Sequence, residues 1–246
     1  MDLELTGKTA IVGGASSGLG LATAEALANE GAHVVMVGRR PDLLKFHADR
    51  IGAHAYVADL RVHDELARLV DHTVNSYGGL DILVWNTGGP AAGSAVYIRP
   101  DDVRSTFEAL FIPIVELVQL ALPHLRNSRQ GRIIAITTGG VKEPTGIALS
   151  NAIRPGIVGY LKTLSTELAA EGITVNNLAP GRIHTERFDQ VYPDGPPLDL
   201  ASDIPMKRFG LPSDIGSAAS FLASARANYI TGITLNIDGG LARSIF

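Results

Sequence analysis

Short runs of β-branched and aliphatic residues alternate with amphipathic helical stretches along nearly the whole chain, and few architectures accept that pattern. Residues 9–12, 33–37, 55–57, 82–85, 132–137, 174–178 and 233–237 read as buried strands. Between the first six, residues 19–29, 41–50, 62–76, 101–127 and 151–170 place apolar side chains at three- and four-residue spacing, the signature of a helix with one buried stripe. Strand and helix in strict alternation imply right-handed crossovers, and these give a parallel sheet with helices on both faces. The expected fold is therefore α/β, a doubly wound parallel sheet. A chain of 246 residues can bury such a core as a single domain, 1–246, and its richest Pro/Gly stretch, Tyr192 to Pro197, comes too late to divide it.

In a sheet of this kind ligands bind outside the carboxyl ends of the strands, so the residues following each run carry the chemistry. The first strand leads into Gly13-Gly14-Ala15-Ser16-Ser17-Gly18-Leu19-Gly20, directly before a helical pattern. Such a loop brings bare backbone N–H groups and the positive end of a helix dipole to one point, where a phosphate fits. The later ends are Gly38-Arg39-Arg40, Ala58-Asp59-Leu60, Asn86-Thr87-Gly88-Gly89, Thr138-Gly139-Gly140 and Ala179-Pro180-Gly181-Arg182-Ile183-His184-Thr185. Each is glycine-rich, polar or both.

Composition excludes several other classes. A net charge of −4 with interspersed signs offers no basic face for nucleic acid. Without cysteine there is no disulfide or thiolate chemistry, and the seven histidines lack metal-ligand spacing, so no metal is expected. No charged-then-apolar leader and no apolar run of about 20 residues is present, which points to a cytoplasmic protein without a membrane partner.

The set Gly14-x-x-x-Gly18-x-Gly20, Asp59, Asn86-Thr87-Gly88, Pro180-Gly181-x-Ile183-x-Thr185 and Asp238-Gly239-Gly240 resembles the short-chain dehydrogenase/reductase family across essentially the whole chain, with overall similarity to its 3-oxoacyl carrier-protein reductases. The resemblance implies a Rossmann-type fold in which Gly14, Ser16, Ser17 and Leu19 line the pyrophosphate and adenosine ribose. It assigns Asp59 and Leu60 to the adenine, Asn86 to Gly88 to the adenosine side of the crevice, and Ile183 and Thr185 to the nicotinamide carboxamide. It also implies a homo-oligomer, tetramer or dimer, formed through the long fourth and fifth helices and the last strand.

Charge bears on the cofactor. NAD readers place an acidic residue about 20 residues beyond the glycine loop, where it accepts from the ribose hydroxyls and repels a 2′-phosphate. Here Arg39 and Arg40 follow that strand, and a guanidinium holds a phosphate by paired, charge-assisted bonds. NADP(H) is favoured, with NAD(H) as the alternative; the arginines' other reading is that they merely flank the helix starting near Pro41.

The catalytic positions depart from the family pattern. Counting back from Gly159-Tyr160-Leu161-Lys162 puts Ser150 at the family's Tyr and Arg154 at its Lys; Thr138 stands at its Ser, and Leu110 at its Asn. Thr138 keeps a hydroxyl, whereas Leu110 reads as a core residue. Ser150 is a weaker acid than a phenol and too short to stand in its place; its other reading, shared with Asn151, is a helix N-cap, with Pro155 in the first turn. Arg154 either bonds the nicotinamide ribose, forks an anionic substrate group, or forms a surface ion pair. Tyr97, Lys142, Glu143, His184 and Tyr192 are further candidates near the crevice, and residues 186–205 are expected to form a substrate lid.

The reading is an NADP(H)-dependent oxidoreductase interconverting a carbonyl and a secondary alcohol in a small-molecule substrate, with a non-standard proton-transfer group. The alternative is a nucleotide-binding sensor or partner subunit of the same fold without reductase activity. A lyase like the halohydrin dehalogenases fits worse, because those enzymes keep the Tyr and abandon the dinucleotide loop.

Overall fold

The computed structural model describes residues 1–246 except Ala91, Thr145, Pro193, Leu198, Asp199 and Phe246, and except the side chains of Arg187, Gln190 and Val191. Seven strands, β1 (Thr9–Val12), β2 (His33–Gly38), β3 (His54–Val57), β4 (Ile82–Asn86), β5 (Arg132–Ile136), β6 (Thr174–Pro180) and β7 (Thr234–Ile237), form one sheet in the order β3-β2-β1-β4-β5-β6-β7. Every pairing is parallel. The chain winds outward from β1 to β3, returns, and winds the other way from β4, so direction reverses between β1 and β4. That reversal opens the ligand crevice of a doubly wound sheet.

The helices are α1 (Gly18–Asn29), α2 (Pro41–Ile51), α3 (His63–Tyr77), α4 (Pro100–Leu110), α5 (Ile112–Asn127), α6 (Ala148–Leu168), α7 (Glu186–Val191) and α8 (Pro212–Ala223). They make two apolar layers. On one face Ile11, Val35, Leu83 and Ile133 meet Leu69, Leu117 and Ile157 of α3, α5 and α6. On the other, Val12, Met36, Val84 and Ile134 meet Leu27, Leu44 and Ile215 of α1, α2 and α8. Both faces of the central strands are covered, which is why those strands read as continuous apolar runs. Each fully buried aliphatic side chain contributes roughly 1.5–3 kcal/mol against the entropy of ordering.

Several boundaries differ from the sequence reading. The strand at 55–57 was expected to be buried, but β3 lies at the sheet edge and Val57 is 54% exposed. The single helix expected over 101–127 breaks at Phe111 into α4 and α5; Pro113 restricts the preceding residue and lacks the N–H that a continuous helix needs. By length and composition alone the stretch Pro100–Asn127 would suffice for a membrane span. It is interrupted, and it buries Ile114, Leu117, Val118, Ala121 and Leu125 in the core.

The start of α6 is the largest correction. The helix begins at Ala148, not at 151, with Ile147 at the N-cap and no side-chain capping bond. Ser150 therefore lies within the first turn and is not the cap, and Pro155 sits beyond the first turn, inside the helix. The region expected as an irregular lid opens with the short helix α7; Pro193, Leu198 and Asp199 of that segment lie outside the described residues.

Candidate active site

The glycine loop is held from both neighbouring strands: Gly13 N–H donates to Val84 O at 3.0 Å and Ala15 N–H to Val37 O at 2.9 Å. The Asn86 amide, at the end of β4, donates to the carbonyls of Gly13 (3.1 Å) and Gly14 (3.4 Å). These contacts leave no room for a side chain at Gly13, Gly14 or Gly20. A Cβ on Gly20 would stand 2.3 Å from the Gly14 carbonyl oxygen, and one on Gly14, where φ is +57°, would stand 2.7 Å from the Asn86 amide nitrogen. The Asn86 side chain is thus spent on shaping the loop. Beside it, Thr87 Oγ1 is buried and has no hydrogen-bond partner among the described residues.

Arg40, rather than Arg39, lies on this loop. Its Nε donates to Ser16 Oγ at 3.3 Å, its Nη2 to Ser17 Oγ at 2.5 Å, and its Nη1 to both carboxylate oxygens of Glu186 at 3.1 Å. Arg39 projects outward, 64% exposed, with Nη1 3.9 Å from Asp59. Asp59 is paired mainly with Arg61, whose Nε and Nη2 donate to it at 2.5–3.1 Å. The Arg61 side chain is the main cause that holds the Asp59 carboxyl below the usual carboxylate range. Leu60 is buried, with its Cδ1 against Gly13.

Past β5, Thr138 Oγ1 accepts from Gly140 N–H at 3.3 Å and starts a short 3₁₀ turn. Ser150 and Arg154, one helical turn apart on α6, are each 5% exposed. Arg154 Nη1 donates to the carbonyl of Ile136, the last residue of β5, at 3.3 Å, and Nη2 to that of Gly88, beyond β4, at 3.5 Å. The surface-ion-pair reading of Arg154 is therefore wrong: its guanidinium is buried at the carboxyl edge. Asn151 joins this group, with Oδ1 2.6 Å from the point where a Cβ on Gly140 would stand. Sequence reasoning gave Asn151 only a capping role; the apolar periodicity extended back to Ala148 was the signal that would have set it on the helix face beside Ser150. Leu110 is buried in the core layer that includes Ile114 and Ile153.

The β6 end completes the edge. Gly181 N–H donates to Ile237 O at 3.0 Å, Ile183 is 8% exposed and bridges to Gly210, and Pro180 ends β6. Thr185 caps α7 by accepting from Phe188 N–H at 3.3 Å, and its Cγ2 lies 3.7 Å from where a Cβ on Gly18 would be. The N-termini of α1 and α7 thus face each other across a cleft of about 330 Å³ lined by Leu21, Glu25, His184 and Asp189.

Among the described residues, none of the other proton-transfer candidates hydrogen-bonds Thr138, Ser150 or Arg154 with its side chain. Tyr97 is 83% exposed, Glu143 accepts from Arg243 N–H at 2.9 Å, His184 Nε2 is 2.7 Å from Asp189, and the Tyr192 ring packs on Phe188. Among the described residues no three His, Asp or Glu side chains gather as a metal site.

A doubly wound sheet whose glycine loop, arginines and hydroxyls meet at the β1/β4 switch defines a nucleotide-binding protein. A family model described as Enoyl-(Acyl carrier protein) reductase matches residues 14–242. The 3-oxoacyl-[acyl-carrier-protein] reductase FabG of Vibrio cholerae serotype O1 is 33% identical over 242 residues, covering 97% of this chain and 99% of its own. Among solved structures, YwfH, an NADPH dependent reductase involved in bacilysin biosynthesis, is similar with a TM-score of 0.91 and 30% identity over 97% of this chain and 99% of its own. The 3-ketoacyl-(acyl-carrier-protein) reductase of Brucella melitensis, complexed with NADH, gives 0.90 and 29% over 97% and 99%. The chain belongs to the short-chain dehydrogenase/reductase family.

Proposed function

We propose that the protein is an NADP(H)-dependent oxidoreductase that interconverts a carbonyl and a secondary alcohol, with NAD(H) as the alternative coenzyme. The carrying observation is the Arg154 guanidinium, buried between the Ile136 and Gly88 carbonyls with Ser150 one turn away. It lies on the same sheet edge as a glycine loop with no room for a side chain at Gly13, Gly14 or Gly20, and a buried Thr87 hydroxyl without a partner among the described residues. Those features fit a dinucleotide, as do the NADPH and NADH named for the related structures.

In this reading Gly14, Ser16, Ser17, Gly18, Leu19 and Gly20 hold the pyrophosphate and ribose, Arg39 and Arg40 the 2′-phosphate, and Asp59 and Leu60 the adenine. Thr87 and Gly88 line the adenosine side of the crevice, and Arg154, Pro180, Gly181, Ile183 and Thr185 flank the nicotinamide half, while Asn86 shapes the loop. The bound nicotinamide supplies or accepts the hydride. The chain's own task is the oxygen, which gains negative charge as the carbonyl carbon is reduced and needs a proton. The Thr138 and Ser150 hydroxyls donate hydrogen bonds to it, and Arg154 stabilises its charge without losing a proton of its own. The proton then comes from water ordered by these groups, a non-standard arrangement for the family.

NADPH titration followed by oxidation assays on ketones and 3-oxoacyl thioesters tests this. Turnover that falls in R154M and S150A supports the oxidoreductase; tight binding without turnover on any carbonyl favours the alternative, a sensor or partner subunit. That second reading is supported by Ser150, whose aliphatic hydroxyl replaces a phenol. Residues 186–205 act as the substrate lid, and the protein works in the cytoplasm on a small molecule. The stacked Phe107 and Phe111 rings, 4.7 Å apart, with exposed Val103 and Ile112 beside them, support a homo-oligomer, tetramer or dimer, joined through the helices α4, α5 and α6 and the strand β7.

A further inference from the structure

We infer that Glu186 is a second determinant of coenzyme choice: its carboxylate holds the place of the 2′-phosphate on Arg40 and latches α7 to the glycine loop until a phosphate displaces it. The inference rests on the dinucleotide reading above. Every nitrogen of the Arg40 guanidinium is engaged, Nε by Ser16, Nη2 by Ser17 and Nη1 by both oxygens of Glu186. The fork therefore ties three parts of the crevice, namely the end of β2, the loop before α1 and the first residue of α7.

A phosphate monoester carries a charge of about −1.5 to −2 at neutral pH and presents three acceptor oxygens, against one charge and two oxygens for a carboxylate. It wins the guanidinium. The displaced Glu186 costs little, because its side chain is already 49% exposed and stands at the N-terminus of α7, where a negative charge is favoured. NADH, without the phosphate, leaves the Arg40 to Glu186 pair in place. Linkage is reciprocal, so whatever the phosphate does to the latch, the latch does equally to phosphate binding.

The test measures NADPH and NADH dissociation constants for the wild type, E186Q, R40M and the double variant, with hydrogen exchange over residues 186–192. In E186Q, NADPH binds roughly three- to fivefold tighter, the upper range for an exposed ion pair, and NADH is unchanged. In R40M the E186Q effect disappears, as a double-mutant cycle requires for a pair acting together. NADPH, unlike NADH, speeds exchange in α7 of the wild type. Equal shifts for both coenzymes, or an E186Q effect that survives in R40M, overturn the latch while leaving the dinucleotide reading intact. A wild type that binds neither coenzyme overturns both.

Discussion

Two arginines are buried at opposite ends of the same strand, and they do different work. Arg132 opens β5 at the amino edge of the sheet, 1% exposed, with Nη1 on the Gly131 carbonyl at 2.9 Å and Nη2 on that of Ser224 at 3.2 Å and on Asn228 Oδ1. Next to it Gln130 donates to Ala223 O at 2.9 Å, so the pair closes the C-terminal end of α8 onto the sheet. Arg154 reaches the other end of β5 and touches Ile136 O and Gly88 O on the crevice side. Burial pulls the Arg132 guanidinium down to about 10, the cost of a sealed position. A buried guanidinium is thus no sign of function by itself; what matters is which edge of the sheet it occupies and whether its partners face solvent.

The sharpest way to break this comparison is to replace each arginine by methionine. R154M is expected to lower kcat/KM by about 10²–10³-fold, the range for removing one electrostatic stabiliser of a developing oxyanion. Its thermal midpoint falls less than that of R132M, because Gly88, one of its two acceptors, is exposed at the edge, where water can replace the lost donor. R132M goes the other way. It removes the donor to Asn228 Oδ1 and one of the donors to the Gly131 and Ser224 carbonyls, which keep backbone bonds from Thr174 and Ala227, and costs about 1.5–3 kcal/mol in denaturant unfolding, with kcat/KM per folded molecule preserved. If both variants lose the same property, the division between the edges fails.

A smaller effect separates shaping from binding within the carboxyl edge. N86A frees the Gly13 and Gly14 carbonyls and loosens the loop, so NADPH affinity measured by fluorescence titration falls roughly tenfold, about 1.4 kcal/mol, with a small change in stability. The smallest prediction concerns His54, at the amino end of β3, whose Nε2 lies 3.0 Å from that of His72. Burial, then the charge of His72, lowers its pKa from 6.5. A lowered base binds fewer protons folded than unfolded, so its contribution is fully present above 6.5 and declines as pH falls through that value toward the folded pKa. H72Q should flatten the fall of the thermal midpoint between about pH 7 and 5; an unchanged slope would remove the pair from the account.

Much of the carboxyl edge was legible because its signals are local. The glycines of the 13–20 loop are required by contacts within the loop and with the next-neighbour strand, and the alternation of runs needs only periodicity. The start of α6 was not legible, since an isolated Pro155 argues for a helix beginning just before it. In the fold Asn151 packs on Gly140, and the helix extends back to Ala148 with the proline inside. The different placement of Arg39 and Arg40 was equally hidden. Adjacent residues leave a strand end in different directions, and the partner that draws Arg40 over the loop, Glu186, is 146 residues away.

The sequence by itself determined the parallel sheet, its right-handed crossovers and the glycine-rich loops at its carboxyl edge, because period, handedness and glycine loops are written in neighbouring residues. Only the tertiary structure decided that Arg154 is buried rather than paired at the surface, that Asn86 shapes the loop, and that Arg40 bridges Ser16, Ser17 and Glu186. These are side-chain contacts between segments far apart in the chain. Their energies exist only after the crossovers have brought the strand ends together.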